Sequence, residues 1–112
     1  MKKIEAIMRP EKLETVRTAL AELGIRGMTV TEVSGHGRQG GISLQWRVGE
    51  YKVQFLPKVK VEVVVLDEEL GKIMNAIVTR ARTGERGDGK IFVYNVEDAL
   101  RIRTGDQGDD AI

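Results

Sequence analysis

Hydrophobic and polar residues alternate in two stretches of the chain, and this alternation predicts β-strands. The first stretch covers 3–8, and the second covers 58–66, where every second residue from Val59 to Val65 is valine. Weaker strand patterns lie over 27–33 and 91–96, and a short edge strand is predicted over 100–104. The chain is therefore expected to build a β-sheet.

Two further stretches carry hydrophobic residues at the three- and four-residue spacing of a helix. The first follows Pro10 and is expected to end at Gly24, because glycine readily adopts the left-handed conformation that closes a helix. The second is predicted to be capped by Asp67, and it has acidic residues in its first turn and arginines in its last, which suits the helix dipole. Its apolar stripe comprises Leu70, Ile73, Met74, Ile77, Val78 and Ala81.

The elements follow one another as strand–helix–strand, a long loop, and strand–helix–strand. This order is typical of the split βαβ, ferredoxin-like (βαββαβ) α+β fold, an antiparallel sheet with both helices on one face. The long loop, residues 35–55, lies between the second and third strands and is expected to be mobile. The uncovered face of the sheet would present Ile7, Val33, Val64 and Phe92 or Tyr94 beside charged residues. Because that face is too apolar to stay in water, a symmetric oligomer is expected.

Composition sets limits on this picture. A chain of 112 residues is expected to form one domain over 1–112, and the absence of cysteine excludes disulfides and thiolate chemistry. The formal net charge of +1 gives no bulk reason to bind nucleic acid, and no apolar run is long enough to insert into a membrane. The N-terminal apolar stretch, interrupted by Glu5, is too short for a signal sequence. A cytoplasmic protein is therefore expected.

The glycine-rich segment 82–90 is the strongest candidate for chemistry. Gly84 to Lys90 has the G-x4-G-K spacing of a P-loop, but Ile91 replaces the Ser or Thr that would hold magnesium. The segment also leads from a helix into a strand, the reverse of the P-loop order, so a true P-loop is excluded. Two interpretations stay open: a simple turn, or a turn whose backbone N–H groups bind an anion beside Lys90.

Other basic side chains are candidates to complete an anion site. Arg101 and Arg103 are two residues apart, so on an extended segment both would point the same way, which suits bidentate phosphate binding. The alternative for this pair is a solvated edge strand. Candidates for catalysis are weak, because His36 is the one histidine and lies in the glycine-rich long loop.

The chain also carries motifs that occur together in one known family. They are, in order, Gly27-Met28-Thr29-Val30, Gly35-x-Gly37-Arg38-Gln39, Phe55-x-Pro57-Lys58-Val59, Thr83-x3-Gly87-Asp88-Gly89-Lys90-Ile91-Phe92-Val93, and Arg101-Ile102-Arg103-Thr104-Gly105. Along essentially its whole length the chain resembles the PII signal-transduction family, the nitrogen regulatory proteins. The motif that begins at Thr83 is the most specific of these matches.

The resemblance implies a homotrimer that binds ATP or ADP in the clefts between subunits and 2-oxoglutarate beside Mg-ATP. Such a protein reports carbon against nitrogen status and is not an enzyme. The implied nucleotide contacts are Thr29, Gly37, Arg38, Val64, Gly87, Asp88, Gly89, Lys90, Arg101 and Arg103. The implied 2-oxoglutarate contacts are Gln39, Gly41, Lys58 and Gly87, with Gln39 also completing the coordination of Mg²⁺.

The resemblance further implies that residues 35–55 dock onto an ammonium transporter or onto an enzyme or regulator of nitrogen metabolism. A transporter partner would recruit the protein to the membrane. Tyr51 occupies the position that some family members nucleotidylate, but Trp46, Val48 and Gly49 depart from the usual neighbours, so its modification stays open. Two alternatives to a sensor also stay open: a small ferredoxin-like phosphatase or ATPase, and a structural trimer.

Overall fold

A computed structural model describes the backbone of residues 1–36, 45–48 and 51–112, and the side chains of 1–35 and 55–112. The strands and helices, in order, are β1 (Lys2–Met8), α1 (Leu13–Glu22), β2 (Thr29–His36), β3 (Gln45–Val48), β4 (Tyr51–Val65), α2 (Leu70–Ala81) and β5 (Gly89–Asn95). Short 3-10 turns at Pro10–Lys12 and Asp67–Glu69 lead into the two helices, and a third lies at Gly108–Ala111.

The sheet has the strand order β2-β4-β1-β5, and every pair in it is antiparallel. Strand β1 is central, with Met8 opposite Val59 of β4 on one side and Gly89 of β5 on the other. This order, with helices after the first and the long strand, is that of the ferredoxin-like fold. The predicted fold class is confirmed.

The hydrophobic core lies between the helices and one face of the sheet. Its largest fully buried side chains are Ile4, Met8, Val16, Leu20, Val61, Val65, Ile73 and Ile77. The core therefore combines the alternating residues of β1 and β4 with the apolar stripes of α1 and α2, as both patterns predict. Each such side chain contributes about 1.5–3 kcal/mol to folding by leaving water.

Neither α1 nor α2 covers the opposite face of the sheet. Phe92 and Tyr94 of β5 are 44% and 46% exposed there. Charged side chains pair between strands on the same face: Lys3 with Glu62 at 3.1 Å and Lys60 with Glu5 at 3.7 Å. We call this surface the open face, and its mixture of apolar and charged residues is as the sequence predicts.

The predicted loop over 35–55 contains more β-strand than the sequence indicates. Strands β2 and β4 extend into the predicted loop over 35–55, and β4 pairs there with β3, Trp46 lying opposite Val53. Backbone pairing in a two-stranded ribbon requires no hydrophobic alternation, so the sequence pattern gave no signal for it.

The predicted cap of the second helix is wrong. Asp67 lies one turn before α2, in the 3-10 segment, and its carboxylate pairs with the N-terminal ammonium at 2.9 Å. Glu69 instead accepts a hydrogen bond from the Leu66 N–H at 3.2 Å. The extra 3-10 turn moves Asp67 away from the free N–H groups of α2.

Gly89 lies directly against the backbone of β1, and its replacement provides a test of the fold. Its φ is +105°, and a Cβ at this position would lie 1.7 Å from the Ile7 carbonyl oxygen. We expect Gly89→Ala to lower the free energy of unfolding by about 2–4 kcal/mol, because backbone has to move on both strands. Urea unfolding at fixed protein concentration measures the change.

Gly71 provides the matched control, because it lies within α2 and has free space where a Cβ would go. Gly71→Ala should raise the free energy of unfolding by about 0.5–1 kcal/mol, since alanine favours helix more than glycine does. A Gly89→Ala protein as stable as the wild type would contradict the close approach of β5 to β1.

Candidate functional site

The loop between α2 and β5 is folded around the carboxylate of Asp88. One oxygen, Oδ2, accepts the backbone N–H groups of Thr83 and Gly84, each at 2.9 Å. The other, Oδ1, accepts the Thr83 hydroxyl at 2.5 Å and Nε of Arg9 at 3.1 Å. The Thr83 hydroxyl oxygen in turn accepts the Glu85 N–H at 3.1 Å. Asp88 thus holds the start and the end of the loop together.

These donors hold the pKa of Asp88 well below its usual range. The Thr83 hydroxyl contributes most, and the N–H groups of Thr83 and Gly84 and the side chain of Arg9 act in the same direction, against the effect of burial. The side chain is therefore ionised at neutral pH, with its acceptor positions in use. Any contact from Asp88 to an anion must come from its backbone N–H.

Lys58 joins this loop from β4. Its ammonium group donates a hydrogen bond to the carbonyl oxygen of Gly87, a residue whose φ of +97° requires glycine. Burial lowers the pKa of Lys58, and the nearby Arg9 lowers it further. The structure therefore brings together Lys58 and Gly87, two of the residues implied for 2-oxoglutarate.

Lys90 lies next to the same loop, as the second residue of β5 and opposite Ile7 of β1. Its side chain is exposed. Gly87, Asp88, Gly89 and Lys90 with Lys58 form one compact group of implied ligand contacts, which we call the loop group.

A second group lies at the other end of the sheet. Thr29 and Val64 line a cleft of about 750 Å³ together with Arg101, a size usual for small-molecule sites. Val64 is opposite Lys3 in the register, whereas the loop group lies beside Met8. Five residues of strand separate Val64 from Gly89, which is roughly 17 Å at about 3.3 Å per residue, and Thr29 and Lys90 lie between these two ends of the register. One protomer therefore does not bring this cleft group and the loop group together.

The predicted edge strand over 100–104 is wrong. Leu100 makes only an isolated bridge with Gln107, and the segment between them turns back on itself. The Arg101 carbonyl accepts the Gly105 N–H at 2.8 Å, and the Arg101 side chain pairs with Asp106 at 3.4 Å. Arg101 and Arg103 thus do not lie side by side on a strand. The sequence Thr104-Gly105-Asp106 could have indicated this turn, because these residue types favour turns.

Several implied contacts lie outside the described residues. They are Gly37, Arg38, Gln39 and Gly41, and the side chain of Tyr51 is also outside them. Within the part of the chain that the structure describes, no group of three or more His, Asp or Glu is placed to hold a metal ion. Mg²⁺ prefers hard oxygen donors, and the amide oxygen of Gln39, the residue that the resemblance implies for it, is of that type.

Comparison with known proteins decides the family. The model of the family Nitrogen regulatory protein P-II matches residues 1–106. The chain is 58% identical to Nitrogen regulatory protein P-II of Pasteurella multocida and of Rhizobium meliloti, over 100% of both chains in each case. It is 56% identical to Nitrogen regulatory protein P-II 1 of Escherichia coli K12, again over 100% of both chains. The chain belongs to the P-II family.

Membership confirms the resemblance drawn from the motifs and supports a role in nitrogen signal transduction. P-II proteins are regulators that act on targets in nitrogen metabolism, and they are generally not enzymes. Among the described residues, no helix has the length and apolar character needed to cross a membrane.

Arg9 is the residue of this P-II site that sequence reasoning missed. Its side chain reaches the loop from the end of β1, and its partner Asp88 is 79 positions away in the chain. Neither spacing nor hydrophobic pattern reports a contact over that distance. The one local hint of a role for Arg9 was that a charged residue stands directly before Pro10, between two apolar elements.

The low pKa of Asp88 gives a test of the loop. Since the folded-state pKa is depressed, the stability it contributes is present above the ordinary pKa and is lost as the pH falls through the folded-state value. We expect Asp88→Asn to lower the free energy of unfolding by about 1–3 kcal/mol at neutral pH. The difference from wild type should shrink below about pH 4. Urea unfolding at neutral and acidic pH measures both quantities.

Asp109→Asn serves as the control, because Asp109 is exposed in the last 3-10 turn. It removes the same charge and should leave stability almost unchanged at both pH values. A loss for Asp88→Asn that is equally large in acid would show that its charge does not hold the loop.

Proposed function

We propose that this P-II protein is a sensor of ATP, ADP and 2-oxoglutarate that binds its nucleotide between the subunits of a homotrimer. The observation that carries the proposal is the division of the implied nucleotide contacts into the loop group and the cleft group. Each group is complementary to one part of a nucleotide: the glycine turn with Lys90 to phosphates, and the cleft to a base and sugar, with Arg101 and Arg103 beside it as further phosphate donors.

The separation of the two groups favours a site shared between subunits. Within one protomer, roughly 17 Å of strand separates Val64 of the cleft group from Gly89 of the loop group, so a phosphate chain held at Gly89 does not reach Val64. A second copy related by symmetry supplies its cleft group next to the loop group of the first. Closed symmetry then repeats the same shared site around the assembly.

The open face supports such an assembly. Its charges pair with one another across the strands, and the Tyr94 hydroxyl donates to Glu5 at 2.7 Å. The face therefore combines balanced charge with the exposed rings of Phe92 and Tyr94. Burial of this face against two copies removes the apolar surface of Phe92 and Tyr94 from water, and the ion pairs Lys3–Glu62 and Lys60–Glu5 stay intact.

The phosphates of ATP require charge-assisted donors, because their oxygens are costly to desolvate unpaired. Lys90 lies at the loop group, and Arg101 and Arg103 lie in the turn beside the cleft group. Mg²⁺ is proposed to be held by phosphate oxygens and Gln39, and the 2-oxo and carboxylate oxygens of 2-oxoglutarate suit its octahedral preference. Lys58, already at Gly87, is proposed to pair with the distal carboxylate.

The output of the sensor is proposed to run through residues 35–55. They would dock, in a ligand-dependent way, onto an ammonium transporter or an enzyme or regulator of nitrogen metabolism. Membrane association would then come from the transporter alone, and Tyr51 stays a candidate for modification. A phosphatase role has less support, because the Asp88 carboxylate already accepts four hydrogen bonds and is not free to act as a base.

A subunit-mixing experiment tests the shared site. Lys90→Ala and Arg103→Ala should each weaken ATP binding by about 1.5–3 kcal/mol, the range for a hydrogen bond to a charged group. Trimers refolded from an equal mixture of the two variants should regain tight binding at about a quarter of their sites, where an intact loop group meets an intact cleft group. Calorimetric titration with ATP gives the number of tight sites.

Arg80→Ala, an exposed arginine of α2, is the charge-matched control and should bind ATP like the wild type. Mixed trimers with no tight sites would mean that each nucleotide is bound by one chain. Light scattering that gives a monomer at micromolar concentration would also contradict the proposal.

Binding of 2-oxoglutarate should require Mg-ATP, because the metal completes its site. The two affinities must then be linked, with 2-oxoglutarate tightening ATP by the same factor as ATP tightens 2-oxoglutarate. Lys58→Ala should weaken 2-oxoglutarate at least about tenfold, while Lys72→Ala on the exposed side of α2 should not. Titration of 2-oxoglutarate with and without Mg-ATP measures this, and tight binding to the nucleotide-free protein would refute it.

A further inference from the structure

Arg9 contacts the glycine loop at two points. Its Nε donates to Asp88 Oδ1 at 3.1 Å, and its Nη2 donates to the Arg86 carbonyl oxygen at 2.7 Å. The Arg9 side chain is 12% exposed and that of Asp88 24%, so the pair is largely shielded from water. The guanidinium fork thereby ties the loop to the end of β1, at the point where β1 passes Gly89.

The charge of Asp88 makes this contact important for anion binding. Asp88 lies between Gly87 and Gly89 in the chain. The backbone N–H groups of this glycine turn are the proposed phosphate donors. A bare carboxylate at that place would repel a triphosphate through a poorly screened medium. Arg9 supplies the one side-chain cation that pairs with Asp88 among the described residues.

Asp88 is nevertheless needed, because its two oxygens collect the N–H groups of Thr83 and Gly84. The loop is thus closed by a group with the same negative charge as the proposed ligand. The ammonium group of Lys58 donates to the Gly87 carbonyl and acts on Asp88 only through its charge, whereas Arg9 donates directly to the Asp88 carboxylate.

We infer that Arg9 is a positioning residue of the phosphate-binding loop: it fixes Asp88 and cancels its charge, so that the loop can both stay closed and accept an anion. The inference rests on the proposed nucleotide site. It assigns Arg9 no contact with the nucleotide itself. Its effect on binding passes through the Asp88 carboxylate.

A double-variant experiment tests the inference in two measurements. Arg9→Met should weaken ATP binding about tenfold, because an unpaired carboxylate is left beside the phosphates. Arg9→Met combined with Asp88→Asn should bind ATP more tightly than Arg9→Met alone, because the repelling charge is gone. Arg9→Lys should give an intermediate affinity, since lysine keeps the charge but not the two-point fork. Hydrogen exchange of the Thr83 and Gly84 amides, without ligand, reports closure of the loop.

Arg17→Met is the matched control: Arg17 pairs with Glu14 at 2.8 Å on α1, and its removal changes net charge equally. It should leave both ATP affinity and exchange at Thr83 and Gly84 unchanged. A double variant that binds no better than Arg9→Met would overturn the inference, because a purely structural clamp predicts no recovery. Unchanged ATP affinity in Arg9→Met would overturn it as well.

The two measurements separate this inference from the proposed function. If the wild-type protein binds no ATP, the proposed function fails and the charge-cancelling role of Arg9 fails with it. If the wild type binds ATP but Arg9→Met neither weakens binding nor speeds exchange at Thr83 and Gly84, only the inference about Arg9 fails. Faster exchange together with weaker binding supports both parts of the inference.

Discussion

Strand β1 pairs along its whole length with β4 on one side and β5 on the other. This double pairing sets the position of almost everything else in the molecule. Met8 lies opposite both Val59 and Gly89, so the loop that enters β5 must end beside the residue that leaves β1. That residue is Arg9, and its contact with Asp88 follows from the register of the sheet.

The glycine loop shows how a backbone can be shaped for an anion by a carboxylate. Asp88 collects N–H donors at the start of the loop, and the positive φ values of Gly87 and Gly89 turn the chain back into β5. Pairing of the carboxylate with a largely shielded guanidinium limits the electrostatic cost of this arrangement. Local shape and local charge are thereby set by different residues, which come from distant parts of the chain.

The ends of the sheet have different chemistry, and the open face links them. The loop group lies at one end, the cleft of Thr29, Val64 and Arg101 at the other, and paired charges with exposed rings lie between. A monomer gains little from this distribution. In a symmetric assembly the open face is buried, and the loop group of one chain lies next to the cleft group of its neighbour. This is the physical reason for proposing that ligand binding and assembly depend on one another.

The sequence alone determined the helices, the main strands and the family, because hydrophobic period and contiguous motifs are local properties of the chain. It also located the glycine turn before Lys90. Only the tertiary structure decided what Asp88 does, that Arg9 joins it, and that Arg101 and Arg103 lie on a turn. The sequence also did not predict the distance between the loop group and the cleft group. A set of implied ligand contacts does not say at which end of the sheet each residue lies. These features depend on strand register and on contacts between residues far apart in the chain, which no local pattern encodes.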